Sequence, residues 1–404
     1  MIMRSMLCYL ITRSPYVKSL LTSGGDHRLL SAMCRCLALL AAVVLTACAP
    51  SPIEQTNPLE MSGSARTYLT SVLDTMEKSA LNRDSIDWTR VRTETFALAA
   101  NAQSTIDTYV AIAHAIGELK EHHSLLMLPD TLDKDRKQRI QAQMRVELLK
   151  TRGPNTSGSR GRSPFASREM SGHLDRRNGK VFAHVVVPRC SGQHTEWEKN
   201  KPYFEEFEKK LYGFVADLLA QQPDGWLVDL RGNGGGNMWP MLAGIGPVLG
   251  EGDLGSFQVP RGGSTIWFLK EGKISVLGGN GETVMSRIPG PPVSRADLPW
   301  VAVLFDRGTS SSGEAVAISL AGRQRARSFG EHTAGFSTAN RRIPLLDGAV
   351  LVLCYSVDAD RTGRRYPGGL DPDAALPAPD SRPAEDADAV IQAAEDWILS
   401  QLTR

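Results

Sequence analysis

Apolar positions recur at helical spacing through the first half of the chain. Tyr68, Leu69, Val72, Leu73 and Met76 share one face, and Ile106, Tyr109, Val110, Ala113, Ile116 and Leu119 share another. The second run opens on Ser104-Thr105-Ile106-Asp107, a capping-box-like start. From Val181 the period changes. Lys180 to Pro188, Trp226 to Leu230, Val301 to Phe305 and Ala349 to Tyr355 are short apolar runs that predict buried strands. Between them lie helical patterns through Phe204, Phe207, Leu211, Phe214, Val215 and Leu218, from about Met238 to Leu249, and from about Gly313 to Gly322. Gln258 to Leu277 alternates enough for a hairpin, and Gly278 to Leu298 has the composition of a loop that could cover a site. A last amphipathic helix is predicted between Pro383 and Leu402. Strand–helix alternation after Val181 predicts an α/β core preceded by a helical subdomain.

The N-terminus follows a different rule. Leu37 to Leu45 is an uninterrupted apolar run, too short to span a bilayer, with Arg35 before it and small residues after it. That is the pattern of a signal peptide, 1–47, with Met33 as a candidate start. Leu45-Thr46-Ala47-Cys48 resembles the bacterial lipobox, which makes Cys48 the expected lipidation site and the envelope, on the periplasmic side, the expected location. Residues 48–66 carry Pro50, Pro52 and Pro58 and are expected to be a tether. The remaining boundaries are a helical subdomain over 67–128, a Gly/Ser/Arg-rich linker or flap over 129–166, and an α/β domain over 167–404.

Composition adds little. The chain has 404 residues, 46 Lys plus Arg against 44 Asp plus Glu, and a formal net charge of +2, a balance that gives no sign of nucleic-acid binding. Of six cysteines only Cys190 and Cys354 lie beyond the leader and lipobox, and they are expected to be independent thiols, one buried and one in a loop.

Candidate chemistry sits on two strand-to-helix turns. Ser310 to Ser312 follow a buried strand where a helix begins, and a hydroxyl there lies beside unpaired backbone N–H groups, suited to an oxyanion. The same position also suits a plain N-cap. The second turn, Gly225 to Asn237, reads GWLVDLRGNGGGN; its glycines allow positive φ and close backbone approach, and it lacks the Gly-Lys-Ser/Thr of a phosphate loop.

DLRGNGGG (Asp229 to Gly236), GTSSSGEA (Gly308 to Ala315) and FGEHTAG (Phe329 to Gly335) resemble the S41 serine peptidases, the family of the carboxy-terminal processing and tricorn-type proteases. The resemblance implies a ClpP/crotonase-like core of repeated ββα units. It places Thr309 on the family's Thr, Ser311 on the nucleophile and Glu314 on the Glu. It puts the oxyanion hole on the N–H of Ser312 and one glycine of Gly234–Gly236, taken as Gly235. The processing proteases' Lys base would fall on Phe336, and no Lys follows Lys273. The tricorn-type branch uses a His, which maps onto His123 in E-L-x-x-x-H, with His122 as the alternative. A His at a helix C-terminus would have its cation favoured by the dipole. The nearest candidates for the orienting acid are Asp360 and, after it, Asp358, either of which also reads as a turn residue. Adjacent histidines with no nearby Cys or patterned acids make only a weak zinc signal, and neither metal nor cofactor is expected. The implied activity is a membrane-tethered serine endopeptidase acting on peptides or unfolded proteins. The alternative is an inactive S41-fold lipoprotein that binds peptide or lipid.

Overall fold

The computed structural model describes residues 60–152, 163–166, 168–194, 196–260, 262–290, 298–377 and 388–403. The signal peptide, Cys48 and residues 48–59 of the expected tether lie outside the described residues, as do 153–162 of the expected linker, while the tether's last residues, 63–66, already belong to the first helix. No described helix is long and apolar enough to cross a membrane.

Helix α1 (Gly63–Ser79) starts where the Ser62 hydroxyl accepts the Ala65 N–H at 3.2 Å, and buries the Tyr68-to-Met76 stripe. Helix α2 (Trp88–Leu98) starts on Asp87 in the same way. Helix α3 (Tyr109–Gly117) follows a single 3₁₀ turn and ends at Gly117, short of Leu119. Strand β1 (Leu125–Met127) comes next. Residues expected to be linker instead form helix α4 (Lys134–Arg152). Only Ile140, Met144 and Glu147 of α4 are buried, so no apolar stripe announced it; Lys, Arg, Gln, Glu, Leu and Met are strong helix formers without one. Helices α3 and α4 touch where a Cβ on Gly117 would lie 1.8 Å from the Thr151 hydroxyl, which makes glycine obligatory at that crossing.

A six-stranded sheet carries the chemistry. Its order is β13 (Ala374–Ala375), β10 (Ala326–Gly330), β9 (Trp300–Phe305), β4 (Gly225–Asp229), β3 (Lys180–Val186), β2 (Ser171–Arg177). All pairs are parallel except the β2–β3 hairpin. Helix α5 (Lys201–Ala220) links β3 to β4, and helix α8 (Ser312–Leu320) links β9 to β10. One face of the sheet packs on α5, α8 and helix α6 (Met238–Gly244). The other buries Phe182, Leu227, Ala302 and Leu304 against Ile391, Ala394 and Ile398 of helix α9 (Ala389–Leu402). Covering both faces explains why these strands read as unbroken apolar runs. The Met238-to-Leu249 helix breaks at Ile245 into α6 and the short α7 (Gly246–Leu249).

The second sheet is wholly antiparallel: β1, β12 (Val350–Asp360), β5 (Gly252–Gln258), β6 (Ser264–Lys270), β7 (Lys273–Gly278) and β8 (Gly281–Arg287), with β11 (Thr338–Pro344) also on β12. The expected hairpin is therefore part of a four-stranded meander, and the expected loop after Gly278 contains β8. Ala349, Leu351 and Leu353 join the core of the N-terminal helices. Cys190 and Cys354 are free thiols, and both are buried.

Candidate active site

Strand β9 ends at Phe305, and Asp306 turns the chain. Its carboxylate accepts the N–H groups of Gly232 and Gly308, each at 2.9 Å. The Thr309 hydroxyl donates to the Leu230 carbonyl at 2.8 Å. These bonds lock the serine turn to the end of β4. Ser311, the residue before α8, sits at φ 54° and ψ −120°. That is a strained conformation for a side-chain-bearing residue, and such strain is held by surrounding structure at functional turns. Here the holding group is Glu314, fully buried, whose carboxylate accepts from the N–H groups of Ser311 (2.8 Å), Gly335 (2.9 Å) and Phe336 (2.8 Å) and from the Thr333 hydroxyl (2.6 Å). Burial raises its pKa despite these donors.

The glycine turn is fastened to the serine turn by Asn233. Its amide donates to the Val187 carbonyl at 2.9 Å, its Oδ1 accepts the Gly235 N–H at 2.9 Å, and its carbonyl accepts the Ser310 N–H at 2.9 Å. Gly235 therefore does not offer the oxyanion donor expected of it, because its N–H is already bonded. Its part is steric: at φ 88°, an added Cβ would lie 2.7 Å from the Ser310 carbonyl oxygen and 2.8 Å from Ser311 Cβ. Gly234 is exposed and does not line the cavity, whereas Gly236 and Ser312 do. Among the described residues neither the Gly236 nor the Ser312 N–H is hydrogen-bonded, and the Ser312 hydroxyl donates to the Gly236 carbonyl at 2.8 Å.

His123 arrives from the other end of the chain. Its Nε2 lies 2.9 Å from Ser311 Oγ, and its Nδ1 lies 2.8 Å from Thr338 Oγ1. Phe336, at the position of the processing proteases' Lys, packs edge-on against the imidazole with centroids 5.3 Å apart. The helix-dipole expectation fails here, since α3 ends at Gly117 and burial pushes the His123 pKa down to about 4. His122 is exposed and makes no such pairing.

The expected orienting acids lie elsewhere. Asp360 accepts from the hydroxyls of Tyr366 (2.7 Å) and Thr362 (2.6 Å), so it belongs to a turn network, and the atom beside His123 Nδ1 is the Thr338 hydroxyl. Asp358 is buried and lines the cavity; burial first, and then the Glu314 charge, holds its pKa well above the usual carboxylate range. Sequence reading missed Asn233, Asp306 and Thr338. Asn233 lies inside the quoted glycine motif and Asp306 between the quoted strand and the serine motif, and neither carries a chemical signature; Thr338 is identified only by strand register.

A cavity of about 400 Å³ opens beside Ser311 and His123. Gly236, Trp239, Phe257, Ala315, Arg342 and Asp358 contribute to its wall, and the partly exposed Trp197 and Met285 also line it. It is a mainly apolar cleft with a few polar groups, a form suited to a side chain of an extended ligand.

Residues 198–376 match the family model described as Peptidase family S41. The chain is 24% identical over 303 residues to the nisin-resistance protein of Lactococcus lactis subsp. lactis, covering 75% of this chain and 80% of that one. A lipoprotein from Streptococcus agalactiae superposes with a TM-score of 0.59 at 20% identity, over 84% of this chain and 97% of the other. The photosystem II D1 C-terminal processing protease superposes with a TM-score of 0.50 at 14% identity, over 78% and 94%. At these identities the two structures speak to the fold alone.

Proposed function

We propose, from the premise that this chain belongs to peptidase family S41, that it is a serine endopeptidase using Ser311 as nucleophile and His123 as general base. The observation that carries the reading is the 2.9 Å separation of His123 Nε2 and Ser311 Oγ, from residues 188 positions apart. In a neutral imidazole one nitrogen donates and the other accepts. With the Nδ1 proton on Thr338 Oγ1, Nε2 is left as the acceptor for the serine proton. Ser311 Oγ attacks the peptide carbonyl as that proton passes to Nε2. The developing oxyanion takes the N–H groups of Ser312 and Gly236, which border the cavity at the start of α8. His123 then protonates the leaving amine, and water attacks the acyl-enzyme by the same route in reverse. Thr338 orients the ring but brings no negative charge, so the imidazolium is stabilised less than beside a carboxylate.

The substrate class is a peptide or an unfolded protein segment laid along the apolar cleft. Lipid attachment at Cys48 would hold the enzyme at a membrane on the periplasmic side, a reading supported by the lipobox-like LTAC sequence. Loss of radiolabelled palmitate incorporation in Cys48→Ser tests that part. For the activity, Ser311→Ala should abolish fluorophosphonate labelling and casein cleavage by the purified chain. Full cleavage by Ser311→Ala would end the assignment.

A further inference from the structure

A second cluster of chemistry-bearing side chains lies on the opposite edge of the six-stranded sheet. His173 and Asp175 point to the same face of β2, being two residues apart, and His184 is the direct register partner of His173 on β3. The same carboxylate oxygen, Asp175 Oδ2, lies 3.3 Å from His173 Nε2 and 3.8 Å from His184 Nδ1. One ligand atom from each of the three residues falls within 4.8 Å of the others. Tetrahedral zinc with bonds of about 2.1 Å sets its ligand atoms about 3.4 Å apart. The cluster is close to that spacing on a rigid hairpin.

The far side of His184 is held in place. Nε2 faces Asp229 Oδ2 at 3.3 Å, in the fully buried interior. Arg231 and Arg168 also donate to that carboxylate. This leaves Nδ1 as the ring nitrogen that faces Asp175 Oδ2. A carboxylate holding the outer nitrogen of a histidine is also the usual support behind a metal ligand. Glu395 lies nearby on α9, where Arg177 pairs with it at 3.2 Å. The other grouping of this kind, Glu94, His114 and Glu118, is already neutralised by Arg90, which bridges both glutamates.

We infer that His173 Nε2, Asp175 Oδ2 and His184 Nδ1 form a binding site for a divalent transition metal, with zinc the best match and solvent completing the shell. His173 and Asp175 are partly exposed, which gives the ion a path in. The site is independent of Ser311 and His123, and its role is to clamp the β2–β3 hairpin.

The test uses the full chain, stripped of metal by chelation and dialysed. Zinc is titrated in competition with a chromophoric chelator, and cobalt is added separately to read the visible spectrum of a tetrahedral complex. The expected result is one zinc per chain and a rise in Tm on binding. Affinity should fall at least tenfold in His173→Ala and in Asp175→Asn, and stay unchanged in His123→Ala, which excludes the catalytic imidazole as the ligand. His173 and Asp175 are partly exposed, so both variants should fold, checked by circular dichroism and by retained peptide cleavage. No stoichiometric zinc, or binding that survives both substitutions, overturns the proposal and leaves a proton in the ion's place.

Discussion

The Cys354 backbone N–H donates to the Ser124 hydroxyl at 2.8 Å, one residue beyond His123. With the pairing of Leu125 to Val352, this bond fastens the end of the N-terminal segment to β12, and β12 is also the strand on which Thr338 is registered, opposite Val357. One strand thus locates both the imidazole and its orienting hydroxyl. Ser124→Ala should leave a buried N–H without its partner, a cost of about 1–3 kcal/mol. Urea denaturation should show that loss, and peptide cleavage should fall with it as His123 loses its anchor. Unchanged stability and activity would show that strand pairing alone suffices.

Thr338 and Asp360 make a discriminating pair. Thr338→Val keeps the shape and removes Oγ1, so kcat should drop roughly 10- to 100-fold with little change in KM, as expected for loss of ring orientation. Asp360→Asn should leave kcat near wild type, while weakening the Tyr366 and Thr362 bonds and lowering Tm. The reverse pattern would return the orienting role to the acid.

The pH dependence follows from burial of His123. Its folded pKa of about 4 lies below the ordinary 6.5, so the base is neutral and competent above about pH 4. The kcat/KM should rise as pH increases through about 4 and stay level from 5 to 8. Between about 4 and 6.5 the unfolded chain binds the proton and the folded chain does not. This group's stability contribution is therefore present above 6.5 and is lost as pH falls toward 4. His123→Gln should remove that part of the slope. An acid limb near 6.5 would contradict a desolvated, neutral imidazole.

Gly235 separates steric from electronic roles in the glycine turn. Gly235→Ala drives a methyl into the Ser310 carbonyl and Ser311 Cβ at a φ of 88°. Strain of about 1–3 kcal/mol is expected, with cleavage reduced at least 100-fold because the nucleophile turn must shift. Gly234→Ala meets no atom within 4 Å and should be nearly silent in both assays.

Local sequence determined the two turns. An apolar run buried on both faces, followed by Gly-rich or Ser-rich residues and then an apolar helix, can fold in few ways, so both turns were legible without coordinates, while Ser311 and Glu314 themselves were singled out by the resemblance to the S41 motifs. Helix α4 was not, because propensity without a stripe leaves no period to read. The dipole argument for His123 failed because desolvation outweighs a helix that ends at Gly117. Thr338 as the ring's partner, Gly236 in place of Gly235 at the cavity, and the meeting of His173 with His184 were decided by tertiary structure. Each depends on strand register or on which backbone group is already bonded. Thr338 and His123 are 215 residues apart, so no window along the chain contains both. Gly235 with Asn233 and His173 with His184 are close in sequence, but their pairing depends on turn geometry and hairpin register, which the pattern of residue types does not state.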